Sequence, residues 1–274
     1  MPIEIIDDMS NKDYHAHSAI SKSYLDRVHR SMAHAKLPRG APTPALIQGG
    51  GFHAAALEPE IFEKEYVLKK KFGLKKEEKE AKKVWEEEQA KNGRTILTVE
   101  QYDTIKNMVD ALIAYPKSAK FFEDGKSEVS LFWDYQDIPC KARPDWITGR
   151  KKEADDRRYL IDLKSTLDAS PESFARSVHK YRYHVQAAWY LKAARTCYGE
   201  DEIEDFIFLA VENHPPYNVA TYSLGSATLD EGWMIADQDL RKYKDWLNEP
   251  ESVPLGYSDS IVEIDIPNWG FTQF

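Results

Sequence analysis

Two aspartates and a lysine stand at a spacing that could support hydrolysis of a phosphate ester. Pro144-Asp145 is followed, after 16 residues, by Asp162-Leu163-Lys164. Side chains alternate along a strand, so Asp162 and Lys164 would share one face while Leu163 points to the other. Neighbouring carboxylates can bind a hard cation such as Mg²⁺, and an ammonium beside it can orient water and stabilise the transition state. The pattern therefore predicts metal-assisted phosphodiester hydrolysis, with Asp145, Asp162 and Lys164 as catalytic residues.

The surroundings of this pattern decide between catalysis and a surface ion pair. Asp-x-Lys alone is common on protein surfaces. Asp162, however, lies within the apolar segment 159–164, where an unpaired charge is costly unless a metal or partner offsets it. Downstream, Gln186 and Tyr190 stand four residues apart and so share one face of a predicted helix. These surroundings favour the catalytic interpretation of Asp162.

The elements that must position these residues change from helices to strands and back. Helices are predicted at 21–36, 44–57, 98–114, 171–198 and 228–248, and strands at 128–135, 138–147, 158–165, 205–212 and 218–224. The charge run 74–92 is expected to be a solvated helix or a mobile excursion. Capping boxes are predicted at Thr98 with Gln101 and at Thr228 with Glu231. The three glycines at 49–51 predict either a break in their helix or a close backbone approach.

This order of elements predicts an α/β fold, a mixed central sheet flanked by helices. We expect a single domain over residues 1–274. Its N-terminal helical part would cover about 1–125, its catalytic sheet core about 126–225, and its C-terminal helix and tail about 226–274. The strands would be joined by polar turns at 136–137 and 149–156.

Composition excludes several classes of protein. No apolar run approaches the roughly 20 residues that span a bilayer, and the acidic N-terminal sequence has no apolar signal segment. The two cysteines, Cys140 and Cys197, are too few for a zinc or iron–sulfur site, which needs about four ligands. We therefore expect no membrane partner and a cytoplasmic location.

The net charge of −9 is unevenly distributed, which matters for a protein that would bind DNA. Residues 200–274 hold 16 acidic against three basic residues, a balance of −13, so residues 1–199 carry +4. The segment 173–199 has no acidic residue. Within it Arg176, Arg182 and His184 are candidates for contacts with a DNA backbone, and a solvated helix face is the alternative.

A second candidate for anion binding lies at the start of the predicted helix 21–36. Ser21, Ser23 and Arg27 combine two hydroxyls, a helix N-terminus and a guanidinium. They predict a pocket for the 5′-phosphate of DNA. Plain capping of the helix is the alternative and stays equally open.

These motifs, in this order, resemble a known family. Pro144-Asp145, Asp162-x-Lys164 and Gln186-x-x-x-Tyr190, preceded by the segment 51–55, are similar to the RecB-type branch of the PD-(D/E)xK nuclease superfamily. The segments 9–15, 19–25, 57–60 and 181–186 resemble RecE-type exonucleases, the nuclease domain of exodeoxyribonuclease VIII. The resemblance covers about residues 5–250 and implies the PD-(D/E)xK nuclease fold.

The resemblance also implies roles for individual residues. His53, Asp145, Asp162 and the backbone carbonyl of Leu163 would bind the metal. Lys164 would be the catalytic lysine, and Gln186 with Tyr190 would support the site and contact DNA. The implied cofactor is Mg²⁺, and a histidine ligand means that Mn²⁺ should serve as well. Glu128 is expected to add at most a carboxylate outside the ligand shell.

The implied activity is 5′→3′ digestion of linear double-stranded DNA from its ends, leaving 3′ single-stranded tails for recombination by single-strand annealing. The implied partners are an annealing protein and further copies of the chain, most simply a tetrameric ring. Two alternatives stay open. One is an endonuclease or repair-trimming nuclease of the same fold, and the other is a non-catalytic DNA-binding module.

Overall fold

The computed structural model describes residues 2–38, 40–149, 157–258 and 260–266. Its strands are β1 (Glu4–Ile6), β2 (Tyr66–Leu68), β3 (Thr95–Leu97), β4 (Gly125–Ser127), β5 (Ser130–Tyr135), β6 (Ile138–Ala142), β7 (Trp146–Thr148), β8 (Arg158–Thr166), β9 (Ile203–Glu212) and β10 (Val219–Tyr222). Its helices are α1 (Asn11–Ala16), α2 (Lys22–Arg30), α3 (Met32–Lys36), α4 (Pro44–Leu57), α5 (Pro59–Glu65), α6 (Lys76–Lys91), α7 (Val99–Ala114), α8 (Pro116–Phe122), α9 (Pro171–Lys180), α10 (Tyr183–Tyr198) and α11 (Ser226–Asn248). Among the described residues, none of the helices combines the length and the apolar character needed to cross a membrane.

The largest sheet has five strands in the order β10-β9-β8-β7-β4. β8 and β9 pair in parallel, while β4 with β7, β7 with β8 and β9 with β10 pair antiparallel. The predicted α/β fold with a mixed sheet and flanking helices is therefore confirmed. β8 lies at the centre of this sheet, so Asp162 and Lys164 are carried by its most protected strand.

The predicted strand 138–147 is wrong, because the chain forms two strands there that belong to different sheets. β6 pairs with β5 as far as Ala142, in a three-stranded antiparallel sheet of order β1-β5-β6. β7 then pairs with β8, with Trp146 opposite Ile161. Pro144 lies between the two strands and has no N–H to donate to a ladder, which suits the change of sheet. The predicted turn at 149–156 lies, apart from Gly149, outside the described residues.

Two helices that were predicted as continuous are each divided. Ser31 separates α2 from α3, and its side chain accepts a hydrogen bond from the backbone N–H of His34 at 3.2 Å. Arg182 separates α9 from α10 with a φ of 56°, in the left-handed region. The chain therefore turns just before the helix face that carries Gln186.

The glycines at 49–51 do not break their helix, since α4 runs through them. Their small size serves close packing instead: a Cβ at Gly51 would lie 2.7 Å from Cδ1 of Ile105 on α7. The capping box of Thr98 and Gln101 is confirmed. The one at Thr228 is wrong, because α11 begins two residues earlier, after Gly225, and has no side-chain cap.

The core is divided between the two faces of the five-stranded sheet. Leu160 and Phe208 pack with α10 on one face, and Ile161 and Leu163 pack with α4 and α7 on the other. Because alternate residues of β8 face opposite sides, Asp162 is directed towards α10 together with Leu160. A carboxylate is thereby buried inside the apolar layer that holds α10 on the sheet.

Candidate active site

Asp162 is fully buried and is held by side chains from two elements. The side-chain amide of Gln186 on α10 donates to its Oδ1 at 2.5 Å. Its Oδ2 lies against the ammonium of Lys164, as an ion pair and not in hydrogen-bond geometry. Asp162 and Lys164 therefore lie on the same face of β8, as the sequence predicted.

Burial and the neighbouring charges act in opposite directions on this pair. Burial raises the pKa of Asp162 to about 6, although the Lys164 ammonium lowers it. For Lys164, burial alone would lower the pKa, but the carboxylates of Asp162 and Asp145 outweigh it and the net shift is upward. The ammonium also lies 4.6 Å from the centre of the Tyr183 ring, a favourable cation–π contact. Lys164 is therefore held as a cation at this point.

One carboxylate oxygen of Asp145 contacts both the backbone of β8 and the imidazole of His53. Its Oδ2 accepts the backbone N–H of Leu163 at 2.7 Å and lies 3.3 Å from Nδ1 of His53 on α4. Burial would raise the pKa of Asp145, but His53, Lys164 and the N–H of Leu163 together hold it below its usual value. In return, the attraction of Asp145 exceeds the effect of burial on His53 and raises the pKa of that imidazole to about 9.

Glu128 has a larger part in the site than its sequence position suggested. It precedes β5 with a φ of 50°, and its backbone N–H donates to the carbonyl of Asp145 at 3.1 Å. Burial first, and then repulsion from Asp145, raise the pKa of its carboxyl to about 8. An acidic residue at the start of a strongly apolar strand is the signal in the sequence that points to it.

The residues present fit a divalent cation. Within the part of the chain that the structure describes, His53, Glu128 and Asp145 offer ligand atoms that all lie within 4.8 Å of one another. Two carboxylates and an imidazole suit Mn²⁺ or, through the oxygens, Mg²⁺. The predicted ligand Asp162 lies beside this group with both oxygens in contact with Gln186 and Lys164. Its ligation, like that by the carbonyl of Leu163, remains a prediction.

Two further residues are fixed around this centre. Arg143 is buried, and its guanidinium donates to Ser130 Oγ at 2.6 and 2.9 Å and to the carbonyl of Met9 at 2.9 Å. It also lies 4.1 Å from the centre of the Tyr14 ring. Tyr190 lies one turn beyond Gln186 on α10, and burial raises the pKa of its hydroxyl well above the usual value. Its phenol therefore stays neutral.

The centre opens into a cleft of about 1220 Å³. The lining comes from both core layers and from the N-terminal region, and includes His53, Glu128, Arg143, Lys164 and Tyr183. Lys164 and Ser165 thus reach the cleft, although residues 160–163 of β8 are buried. A substrate in this cleft would meet the ammonium and the candidate metal ligands together.

The predicted 5′-phosphate site has a structural role for each of its residues. Ser21 caps α2 by accepting the backbone N–H of Tyr24 at 3.4 Å, and its Oγ lies 3.1 Å from that of Ser23. The guanidinium of Arg27 donates to the carbonyls of His34 at 3.0 Å, Ala35 at 2.6 Å and Leu37. Arg27 therefore stabilises the C-terminus of α3, and phosphate binding by this group remains a prediction.

The three residues of the segment 173–199 that were predicted to contact DNA have different surroundings in the structure. Arg176 is exposed and pairs with Glu172 at 3.2 Å. Arg182 binds buried Asp239 on α11 at 2.6 Å. His184 is buried, its Nδ1 lies 3.2 Å from the carbonyl of Val178, and burial lowers its pKa. Only Arg176 of the three is directed to solvent, and its contact with DNA stays a prediction.

Comparison with known proteins places this geometry in a family. The family model described as a PDDEXK-like domain of unknown function (DUF3799) matches residues 21–256. A crystal structure of a candidate exonuclease from Eubacterium rectale superposes with a TM-score of 0.62 at 10% identity, over 95% of this chain and 96% of that one. The structure of SSO0001 gives a TM-score of 0.30 at 12% identity, over 71% of this chain and 84% of that one. No curated protein matches the sequence. The match over residues 21–256 shows that this chain belongs to the PDDEXK-like family of nuclease fold.

Proposed function

We propose that this protein is a Mg²⁺-dependent exodeoxyribonuclease that digests linear double-stranded DNA in the 5′→3′ direction. It would leave 3′ single-stranded tails for recombination by single-strand annealing. The observation that carries the hydrolytic part of the proposal is the meeting of Lys164 with Asp162, Asp145, Glu128 and His53 at one end of the cleft. The direction and the preference for ends rest on the resemblance to RecE-type exonucleases.

Each side chain of the centre has a role in phosphodiester hydrolysis. His53, Glu128 and Asp145 would hold the cation, with Asp162 and the carbonyl of Leu163 completing its shell. When bound, that cation lowers the pKa of a coordinated water and offsets charge on the phosphate.

Lys164 acts as a donor and not as a base. Its raised pKa keeps the ammonium charged, so it can orient the attacking water and stabilise negative charge on the phosphoryl oxygens. Gln186 supports this role, because its amide fixes Oδ1 of Asp162 and leaves the other oxygen of that carboxylate to the lysine. The arrangement favours in-line attack on a phosphate presented from the cleft.

An exonuclease must also recognise the end of its substrate. The N-terminus of α2 lies near the candidate centre, since the ammonium of Lys22 donates to the carbonyl of Tyr181 at 3.3 Å. Burial is the main cause of the lowered pKa of Lys22, and the charge of Lys164 adds to it. Ser21 and Ser23 at this point could bind the terminal 5′-phosphate. Arg27 would contribute by holding α3 against α2.

Assembly into a ring would solve a problem of charge. A protein of net charge −9 is repelled overall by DNA, and a monomer would lose its strand between cuts. A closed homo-oligomer, a tetramer in our proposal, could place exposed basic residues of 173–199, such as Arg176 and Lys180, towards the DNA and exposed acidic residues of 200–274 away from it. A mass near 31.6 kDa in light scattering, together with distributive digestion, would refute the ring. An annealing protein that receives the 3′ tail is the proposed partner.

One assay tests the activity and separates the alternatives. Linear duplex labelled at the 5′ or at the 3′ end, and closed circular duplex of the same sequence, are incubated with the protein and Mg²⁺. We expect early release of the 5′ label as mononucleotide, retention of the 3′ label and an intact circle. Cutting of the circle would indicate an endonuclease. Binding of either DNA without cutting in Mg²⁺ or Mn²⁺ would indicate a non-catalytic module.

A further inference from the structure

A concentrated positive charge follows β2 at the edge of the cleft. Residues 69–76, which we name the lysine loop, contain Lys69, Lys70, Lys71, Lys75 and Lys76 and no acidic residue. All five lysine side chains are exposed. The loop therefore carries a charge of +5 over eight residues, in a chain whose net charge is −9.

The rest of the described chain neutralises only part of this charge, since the carboxylate of Glu78 on α6 accepts the backbone N–H of Gly73 within the loop. Further along α6, Lys82 and Lys83 pair with Glu86 and Glu87, one turn away. Within the described ranges, no corresponding ion pair is formed by a lysine of the loop. The ammonium of Lys70 lies 5.6 Å from the centre of the Trp85 ring, a cation–π contact that leaves its formal charge in place.

The position of the last two lysines is unfavourable for the helix that they begin. Lys75 is the N-cap of α6 and Lys76 its first residue, and the N-cap side chain makes no hydrogen bond. The N-terminus of a helix carries partial positive charge, so cations there are repelled. Glu77 and Glu78 in the first turn of α6 offset part of this repulsion, and an external anion would remove more of it, as well as that among the five lysines.

The loop begins close to the candidate centre. Tyr66 of β2 lines the cleft, and its ring stacks on Phe62 with centroids 5.2 Å apart. A Cβ at Gly50, one turn before His53 on α4, would lie 3.1 Å from the Tyr66 hydroxyl. β2 pairs with β3, and the N–H of Lys69 donates to the carbonyl of Leu97 at 2.8 Å. An extended chain rises about 3.3 Å per residue, so Lys69 lies roughly 10 Å from the cleft lining.

Duplex DNA is the polyanion that fits these observations. It carries one negative charge per roughly 1.7 Å of its axis, so a duplex whose end enters the cleft passes the loop with several phosphates in reach. We propose that the lysine loop binds the phosphate backbone of duplex DNA outside the cleft, independently of base sequence. This inference rests on the proposed function. It assigns binding of the uncut duplex to a segment separate from the catalytic centre.

The test compares the salt dependence of DNA binding in the parent and in a variant with all five loop lysines changed to Gln (K69Q/K70Q/K71Q/K75Q/K76Q). A blunt duplex of about 30 base pairs and EDTA are used, so that binding is measured without cleavage. Each phosphate contact contributes about 0.9 to the slope of log Kd against log salt, so we expect the variant's slope to be smaller by roughly 3 to 4.5. Thermal melting of each protein shows whether the fold is retained.

Two matched variants control for charge removal in general. K82Q/K83Q removes two lysines of α6 that are already paired, and K117Q/K120Q removes two exposed lysines of α8. Both should keep the parent's slope. Should K117Q/K120Q lower it in proportion to its two charges, the effect would belong to the whole surface and the inference would be overturned.

The remaining outcomes distinguish this inference from the proposed activity. If the parent digests DNA and the fivefold variant keeps the parent's slope, only the inference about the lysine loop is overturned. If the fivefold variant has the smaller slope but the parent never cleaves DNA with Mg²⁺ or Mn²⁺, the proposed activity alone is overturned. Binding of the parent to phosphatidylserine vesicles that needs the five lysines, with DNA binding unaffected, would assign the loop to a membrane surface instead.

Discussion

Gln186 and Asp162 form a 2.5 Å hydrogen bond between the central strand of the sheet and the helix that covers it. The amide donates to Oδ1, so the other oxygen is left to Lys164. This contact explains why a glutamine occupies a position otherwise surrounded by apolar residues of α10. It also makes Gln186 the residue through which α10 contacts the carboxylate of Asp162.

Replacing Gln186 by Leu should lower kcat/KM by roughly 10- to 100-fold, the range that corresponds to losing a hydrogen bond to a charged group. The fold should be retained, because Leu suits the apolar surroundings. Gln238→Leu on the exposed face of α11 is the matched control and should have no effect. If Gln186→Leu were as active as the parent, the hydrogen bond from Gln186 to Asp162 would be dispensable.

Replacing Lys164 by Met should slow cleavage by roughly 10²- to 10³-fold, the loss expected when one transition-state donor is removed. Without the ammonium, burial of Asp162 is less well compensated, so the pKa of that carboxyl should rise further. Single-turnover cleavage and infrared spectroscopy of the carboxyl band measure the two effects. Lys120→Met on α8 serves as the control, and normal cutting by Lys164→Met would assign Lys164 to a structural ion pair.

Replacing Glu128 by Gln should weaken Mn²⁺ binding by at least about tenfold, since even residues behind metal ligands contribute 10- to 100-fold. Calorimetric titration with Mn²⁺ measures this directly, whether or not DNA is cut. Glu123→Gln, at the exposed end of α8, is the control. If Glu128→Gln and the parent bound Mn²⁺ with equal affinity, Glu128 would lie outside the ligand shell.

The metal-free protein should lose stability as the pH rises. The pKa of His53 is raised from 6.5 to about 9, so its stabilising contribution is complete below pH 6.5 and is lost as the pH rises through 9. The pKa of Glu128 is raised from 4.5 to about 8, so the folded protein holds this proton more tightly, and its contribution is lost as the pH rises through 8. In EDTA, the Tm should therefore fall from about pH 4.5 to about pH 9, most steeply between pH 6.5 and pH 8, where both groups contribute.

Added Mn²⁺ should reverse this trend, because the cation binds the neutral imidazole and the ionised carboxylate that high pH produces. The increase in Tm caused by Mn²⁺ should thus be larger at high pH. His53→Gln should flatten the fall seen in EDTA. A parent Tm that is constant over this range in EDTA would contradict the assignment of these two groups.

If Ser21 and Ser23 seat the terminal phosphate, 5′-phosphorylated duplex should be digested faster than 5′-hydroxyl duplex. Ser23→Ala should reduce the difference without a large change in Tm, because Ser23 is exposed and Ser21 makes the cap. Arg27→Ala should lower the Tm as well, since α3 loses its bonds to the guanidinium. Equal rates on both ends in the parent would leave capping as the whole role of the serines.

The strand-borne part of the site could be predicted from the sequence because its geometry is local. Asp162 and Lys164 lie two residues apart on a strand, and that spacing alone sets their common face. The four-residue spacing of Gln186 and Tyr190 is likewise a property of one helix turn. The α/β order of elements followed from periodicity in the same way.

The rest depends on contacts between distant segments. Glu128 reaches the site because its left-handed φ turns the chain before β5, and no local pattern marks that turn at a glutamate. The division of 138–147 follows from pairing with two different partners, β5 and β8. The left-handed Arg182 is stabilised by Asp239, which lies 57 residues away. Periodicity within a segment carries no information on such partners.

The origin of the site's side chains in two separate layers has a consequence for the life of the protein in a cell. His53 comes from the layer of α4, whereas Gln186 comes from that of α10 on the opposite face of the sheet. Under the proposed function, a copy in which one layer has not packed would hold an incomplete set of groups and would not hydrolyse DNA. Only a fully folded copy could then cut DNA, so an incompletely folded copy would not damage the genome that encodes it.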